Sequence, residues 1–328
     1  MRQLLRLIFL LYAGGLILLL GLVFGPGEAL WPVTLFLFGP RWLIALPLPV
    51  LTFCAVLVDR RLVVPMTAAC LALLIPLSGL NIPWGRLVPR AEDTTPTIRA
   101  LTWNVGGGVE PGPRPVAWVL EEARPDVAVL QECNDARLEQ PAEWHRHRTH
   151  DTCLLSRFPM VEVAVRDPTD MWKLAGSGEI VRYTLDTPIG LVELTNVHLE
   201  TPREGLEAIL ASKLRGVPEL QAKYAQRELE ARLARRWVDE GARGLRLVAG
   251  DFNTTVESNL FRAYWSGFRD CYAAAGWGFG HTKHTRRIGT RIDHILAGDG
   301  LECVDARVGP WVGGDHAPVI ATLRRSTR

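Results

Sequence analysis

Polar groups close or interrupt a series of apolar runs along this chain. Asn104 closes ALTWN, Glu132 closes VAVLQE and His198 closes ELTNVH. Asp251 and Asn253 follow LVAG, Asp293 lies in RIDHI, and Asp315 with His316 lies in GGDHAPV. One carboxylate or amide after a strand is more often a turn former than a ligand, because its side chain bonds its own backbone. Six such places, each at its own strand end, are hard to assign to turns. Carboxylate and amide oxygens are hard donors that suit Mg²⁺, with Mn²⁺ as the alternative, whereas zinc would call for Cys or His clusters. Mg²⁺ keeps several waters and takes only one or two carboxylates, a demand that Asn104 and Glu132 meet. Hydrolysis of a phosphate ester also needs imidazole or amide donors around the phosphoryl oxygens and a base for the attacking water. His198, Asn253, His316, Asp251 and Asp293 supply those types.

Strands must present these groups. Runs rich in Val, Ile and Leu, bounded by Gly, Pro, Asn or Asp, predict strands over 98–104, 127–131, 153–156, 180–184, 191–198, 245–249, 292–296 and 319–323. Segments 115–123 and 218–239 predict helices, the second with Leu220, Tyr224, Leu229, Leu233 and Trp237 at mostly helical spacing. In 203–217, Leu206, Ile209, Leu210 and Leu214 recur at the same spacing. The expectation there is a helix packed on the domain; the alternative is an interfacial helix that dips into lipid. Strands alternating with helices predict one α/β domain over 97–328.

The charges divide the 328 residues unevenly. Residues 1–90 hold no lysine, seven arginines and two acids, while the remaining 30 basic and 33 acidic residues give 91–328 a net charge of −3. That pattern excludes a disordered chain, a disulfide-dense miniprotein and a uniformly basic nucleic-acid binder. Segments 7–24, 42–58 and 62–80 are each apolar over nearly the length a helix needs to cross a hydrocarbon core of about 30 Å. A cleaved signal peptide is the competing reading of the first, but its apolar region would be shorter and no further spans would follow. Asp59, Arg60 and Arg61 make the short link of a helical hairpin, and 32–38, cut off by Gly39, Pro40 and Arg41, is too short to span. The plan is therefore a three-span anchor over 1–87, a polar linker over 88–96 and the α/β domain. Arg2, Arg6, Arg60 and Arg61 fall on one side against Arg41, Arg86 and Arg90, a mild positive-inside bias. With the amino terminus inside and three spans, everything after residue 81 is expected outside the cytoplasm, in a multi-pass protein of the cell membrane.

The motifs TWNV, LQE, LLSRFP, NVHL, GDFN, RIDHI and GDHAPV, in that order, resemble the endonuclease/exonuclease/phosphatase superfamily of metal-dependent phosphoesterases, the DNase I-like proteins. The resemblance runs from about Thr97 to Leu323 and implies a four-layer α/β sandwich with its active site at one end. It implies that Asn104 and Glu132 hold the metal with Asp315 near it, and that Asp251 orients or deprotonates the attacking water. Asn253 would contact the phosphate, His316 would pair with Asp293, and His198 would bind the phosphate in the transition state. Gly314 stands where the family more often has Ser before the Asp-His pair.

Other residues carry weaker signals. His145, His147 and His150 alternate with Arg146 and Arg148 and are expected in a solvated loop rather than on a metal. The run His281, Lys283, His284, Arg286, Arg287 and Arg291 leads into RIDHI; a solvated loop and substrate contact are both open there. Cys133, Cys153, Cys271 and Cys303 allow three pairings. Cys133 with Cys153 is favoured because both flank one loop at strand ends, with free thiols as the alternative. The leading expectation is a membrane-anchored phosphoesterase acting on a lipid-linked or membrane-proximal phosphoester or phosphoanhydride. A nuclease is the second reading, with nucleic acid less favoured as partner given the net charge. A catalytically idle membrane-tethered binding module is the third.

Overall fold

The computed structural model describes residues 1–86, 94–106, 116–133, 143–167, 176–241, 244–285 and 288–326. They form two compact units, residues 1–80 with 257–259, and 81–256 with 260–328.

The first unit is helical. It contains α1 (Arg2–Phe24), α2 (Trp31–Phe38), α3 (Pro47–Val58) and α4 (Val63–Ser78). Three stretches, Arg2–Phe24, Arg41–Val58 and Arg60–Ser78, are long and apolar enough to cross a membrane. At eight residues α2 is too short to do so. Phe9, Leu16 and Val23 of α1 pack with Leu37, Leu51, Ala55, Leu74 and Leu77. Leu10, Leu11, Leu18, Phe53 and Leu57 remain exposed, an apolar outer face that water would penalise and lipid would not. Arg2 Nε lies 3.8 Å from Asp59 Oδ2, so the start of α1 is beside the α3–α4 link, as an up-down-up arrangement of helices requires.

The second unit is a four-layer α/β sandwich. One sheet holds β1 (Thr97–Asn104), β2 (Val127–Gln131), β3 (His145–Arg148), β4 (Thr152–Ser156), β13 (Leu301–Val308) and β14 (Val319–Arg325), in the order β13-β14-β1-β2-β4-β3. The other holds β5 (Met160–Val165), β6 (Glu179–Thr187), β7 (Gly190–His198), β8 (Leu245–Asp251), β9 (Arg269–Asp270) and β12 (Asp293–Ala297), in the order β5-β6-β7-β8-β12-β9. A small hairpin, β10 (Lys283–Thr285) with β11 (Ile288–Thr290), stands apart. Ile98, Ala100, Val129, Leu194, Leu247, Ala249 and Ile295 fill the space between the sheets. Leu101, Trp103, Ala128 and Leu130, of opposite phase in the same strands, pack on α5 (Val116–Ala123). Val197, Val248 and Leu296 likewise face Ala234 and Val238 of a long helix, so the central strands bury both faces. On that side lie α7 (Val217–Glu240) and α8 (Asn259–Trp265), with α6 (Arg203–Ser212) leaning on α7, while α9 (Cys271–Ala275) packs into the cluster between the sheets.

Three expectations change. The sequence His145–Arg148 forms edge strand β3 rather than a loop, and half-buried His147 reaches Tyr183 Oη at 3.2 Å; its charged residues give no apolar alternation. Helix α6 leans on α7 through Gly205, where a Cβ would meet Leu220 at 2.7 Å, but Leu210 and Leu214 are 83% and 71% exposed instead of packed. Asn81, read as part of the anchor, belongs to the second unit: it pairs with Gly278 through both backbone groups and donates its side-chain amide to Tyr272 O and Gly276 O. The cysteines form Cys133–Cys153 and Cys271–Cys303 disulfides.

Candidate active site

Strand register assembles the site. Parallel pairing of β1 with β2 sets Asn104 beside Gln131, and Glu132 follows directly. Parallel pairing of β7 with β8 sets His198 beside Asp251, and antiparallel pairing of β8 with β12 sets Asp251 beside Asp293. Successive side chains alternate faces, so the phase that puts Ile98, Leu194, Leu247 and Ile295 between the sheets also points Asn104, His198, Asp251 and Asp293 into that space at one end. Beneath them Thr102, Gln131 and Asn196 form a buried polar layer; Gln131 Nε2 donates to Asn196 Oδ1 at 2.8 Å. This layer, absent from the sequence expectations, separates the apolar core from the carboxylates and satisfies its own polar atoms.

Tight backbone approach shapes the floor. Glu132 and Asn253 are non-glycine residues at φ of 50° and 48°, a strained conformation held by its surroundings. Gly106 lies so close to Glu132 that a Cβ would fall 1.6 Å from its carboxylate oxygen. Gly250, at φ 154°, leaves room for Val197 O, which a Cβ would meet at 1.8 Å.

Two His–Asp pairs flank Asp251. His316 Nδ1 lies 2.9 Å from Asp293 Oδ2, and His198 Nδ1 lies 2.5 Å from Asp151 Oδ2. Their Nε2 atoms stand 3.7 and 3.9 Å from the same atom, Asp251 Oδ2. Burial opposes the charge on His198, but the bond to Asp151 and the charges of Asp251, Asp151 and Glu132 outweigh it and push its pKa up to about 9. Burial likewise opposes the charge on His316, and Asp293 and Asp251 raise its pKa nonetheless. Burial and the nearby charge of Asp293 raise Asp251, the direction that favours a proton acceptor. Behind His198, Glu230 of α7 accepts from Gly178 N at 2.7 Å and from Glu200 N, tying the start of β6 to the end of β7.

The remaining expected residues are close by. Asn104 Nδ2 donates to Glu132 Oε1 and Asp251 Oδ2, each at 3.0 Å, so an amide bridges two carboxylates. Asn253 N donates to Asp251 Oδ1 at 2.9 Å, while its side-chain amide donates to Leu199 O at 2.8 Å and keeps a second N–H. Asp315 Oδ2 receives Lys283 Nζ at 2.7 Å and lies 3.6 Å from the Arg203 guanidinium. Lys283 Nζ is also 2.8 Å from His316 Nε2. Arg291, from the same basic run, turns away to a buried pair with Asp270 at 2.9 Å, and Arg286 and Arg287 lie outside the described residues. Asp151, Lys283 and Arg203 are thus site residues that strand-end motifs did not disclose. Asp151 had a signal, since it immediately precedes the TCLLS strand, but no apolar run precedes it.

This donor set fits a divalent cation. Glu132 and Asp251 converge on one amide, and Asp251, Asp293 and His316 offer ligand atoms all within 4.8 Å of one another. Such packed carboxylates repel unless a cation or proton intervenes, and their oxygens are hard donors.

Comparison with known proteins agrees with the architecture. The family model described as Endonuclease/Exonuclease/phosphatase family matches residues 101–316. No curated protein matches the sequence. Among solved structures, an endonuclease/exonuclease/phosphatase from Beutenbergia cavernae DSM 12333 has 20% identity and a TM-score of 0.52, over 70% of this chain and 72% of that one. Humanized D. rerio TDP2 has 14% identity and a TM-score of 0.53, over 70% of this chain and 99% of that one. The mannosyl-6-phosphatase of Bacteroides thetaiotaomicron VPI-5482 has 16% identity and a TM-score of 0.51, over 69% and 99%. At these identities the likeness is one of fold. The matched span begins at Leu101, just ahead of Asn104, ends on His316 and so encloses every residue of the site described above. With that span covering two thirds of the sequence, the chain belongs to the endonuclease/exonuclease/phosphatase family.

Proposed function

We propose that this chain is a membrane-anchored, divalent-metal-dependent phosphoesterase that hydrolyses a lipid-linked or membrane-proximal phosphoester. The observation that carries the reading is on α6 and the 3-10 turn that follows it: the helix that brings Arg203 to 3.6 Å from Asp315 exposes Leu210, and the turn Lys213–Gly216 exposes Leu214. An amphipathic helix with such a face, flanked by Lys213 and Arg215, suits the lipid–water interface. The chain's own apolar helices hold the domain at a bilayer, and the two disulfides agree with an oxidising, extracytoplasmic side.

Asn104 and Glu132 would hold the metal, Mg²⁺ or Mn²⁺, with Asp315 near it; when bound, it neutralises charge on the phosphoryl oxygens. Asp251 Oδ2 takes the proton of the attacking water, in line with its raised pKa. Imidazolium His198, held by Asp151, donates to a phosphoryl oxygen whose charge grows in the transition state. His316, oriented by Asp293, donates on the other side. Asn253 braces Asp251 through its backbone N–H and has one side-chain N–H left for the phosphate.

The test offers the full chain, in detergent with Mg²⁺, a polyprenyl or glycerolipid phosphoester beside plasmid and single-stranded DNA. Lipid phosphate release supports the reading. DNA cleavage without it replaces the reading with a nuclease; D. rerio TDP2 has been solved with a single-strand DNA product.

A further inference from the structure

We propose that Lys283 and Arg203 form an anion clamp beside His316 that selects a terminal phosphomonoester, a dianion, over a phosphodiester, a monoanion. This rests on the phosphoesterase reading above and narrows its substrate class.

The position of Lys283 is built into the backbone. A β-bridge joins it to His316, His284 N donates to Asp315 O at 2.9 Å, and Ala317 N donates to Thr282 O at 2.7 Å. Only 13% of its side chain is exposed, and its ammonium is 2.7 Å from Asp315 Oδ2 and 2.8 Å from His316 Nε2. Arg203 approaches the same carboxylate oxygen from the first turn of α6, at 3.6 Å, with half its side chain exposed. Two cations thus share one carboxylate, so between them they carry more N–H donors than Asp315 can accept. The remaining donors are placed to meet an anion beside His316, where phosphate would be bound.

The two substrate classes differ at one corner. Both present two non-bridging oxygens, for which His198 and His316 are donors enough. A monoester adds a third oxygen and a second negative charge where a diester carries an ester carbon. Charge-assisted bonds from Lys283 and Arg203 stabilise that oxygen, and in a partly buried setting the effect exceeds its value in water. An ester carbon would leave the ammonium facing a group that accepts nothing.

The reaction balances as monoester plus water giving alcohol plus inorganic phosphate. The water oxygen forms the new P–O bond as the P–O bond to the organic group breaks, and the water proton passes to Asp251. The leaving oxygen takes a proton from solvent and Asp251 returns the proton of the attacking water to solvent, so the protons balance.

The experiment measures kcat/KM of the full chain, in detergent with Mg²⁺, on an aryl phosphate monoester and a bis-aryl phosphodiester, and inhibition by inorganic phosphate. The wild type should prefer the monoester. Arg203→Ala, at an exposed position that leaves folding intact, should lower the monoester-to-diester ratio about tenfold and weaken phosphate inhibition in parallel. Lys283→Met should lower the ratio about 100-fold, and Lys283→Arg should restore most of it. A wild-type preference for the diester, or an equal loss on both substrates in both variants, would overturn the clamp. Hydrolysis of neither substrate by the wild type would instead overturn the phosphoesterase reading.

Discussion

Asp151 Oδ2 sits 2.5 Å from His198 Nδ1, and this contact makes His198 the counterpart of His316 across Asp251. Cys133 N donates to Asp151 O at 3.0 Å, so the loop bearing Glu132, proposed above to hold the metal, also fixes the partner of His198. The pair has a definite pH signature. With its pKa at about 9, above the ordinary 6.5, His198 is charged at neutral pH; the stability it contributes is complete below 6.5 and is lost as pH rises through 9.

Asp151→Asn should therefore lower the pKa of His198 and move the alkaline limb of the kcat/KM profile toward neutral pH, while lowering kcat by about 100-fold. The check is a pH–rate profile of both proteins with imidazole titration by NMR. An alkaline limb in the same place would show that His198 does not donate to the phosphate.

Glu132 carries the metal prediction. Its carboxylate is already directed at Asn104, so on the proposed reading its removal takes one oxygen ligand from the metal. Glu132→Ala should lower activity at ordinary Mg²⁺ by at least about 100-fold and raise the Mg²⁺ concentration giving half activity. Glu132→Gln should melt at the wild-type temperature. Full activity of the alanine variant in EDTA would remove the metal from the mechanism.

The strand ends were legible because alternation is local: once 98–104 or 245–249 is recognised as a strand with one phase between sheets, the polar residue that continues the phase must emerge at its end. Asn104, Asp251 and Asp293 were found that way. What escaped depends on partners distant in sequence. Lys283 reads as one more charge in a basic run, and only the bridge to His316 turns it into the site. Arg291, the residue directly after β11, reads the same and is buried on Asp270. Strands β3 and β5 were missed because edge strands expose residues such as Arg146, His145 and Glu162, which breaks the apolar pattern. The exposed face of α6 was hidden for the opposite reason, since its spacing is that of a packed helix.

Asp270 should govern acid stability of the catalytic unit. Burial opposes its charge, yet Arg291 and His294 hold its carboxyl well below the ordinary value of 3.8. Its contribution is present above that value and is lost as pH falls toward the lowered one. Removing one partner of a buried pair costs roughly 3–5 kcal/mol. Asp270→Ala should thus lower the melting temperature by about 6–20 °C at pH 7, with a smaller difference from wild type in strong acid. Equal melting temperatures at pH 7 would contradict the assignment.

The Cys133–Cys153 disulfide ties the residue after Glu132 to β4, directly beyond Asp151 and Thr152. Cys133→Ser with Cys153→Ser should cost roughly 2–5 kcal/mol of stability. It should also reduce kcat more than the Cys271→Ser, Cys303→Ser pair, which lies away from the His–Asp pairs. Equal kinetic effects of the two double variants would mean that the first bridge serves stability alone.

The lipid reading makes its sharpest demand on α6. Leu210 and Leu214 are 83% and 71% exposed, so charged replacements bury nothing and disturb no core. Such surface changes usually alter stability by no more than about 0.5 kcal/mol, and Leu210→Glu with Leu214→Glu should melt as the wild type does. At a lipid surface the same changes put two carboxylates where apolar side chains would be buried, each loss amounting to roughly 1.5–3 kcal/mol of transfer energy. The variant should then show a raised KM for a lipid phosphoester in micelles, by about tenfold or more, and a lowered ratio of lipid to water-soluble aryl phosphate hydrolysis. Arg203, about two turns before Leu210 on α6, makes the two readouts separable: Arg203→Ala should act on both substrates through the phosphate, whereas the leucine changes should act through the lipid chain. If the double variant keeps the wild-type ratio, α6 does not meet the bilayer, and the substrate need not be a lipid.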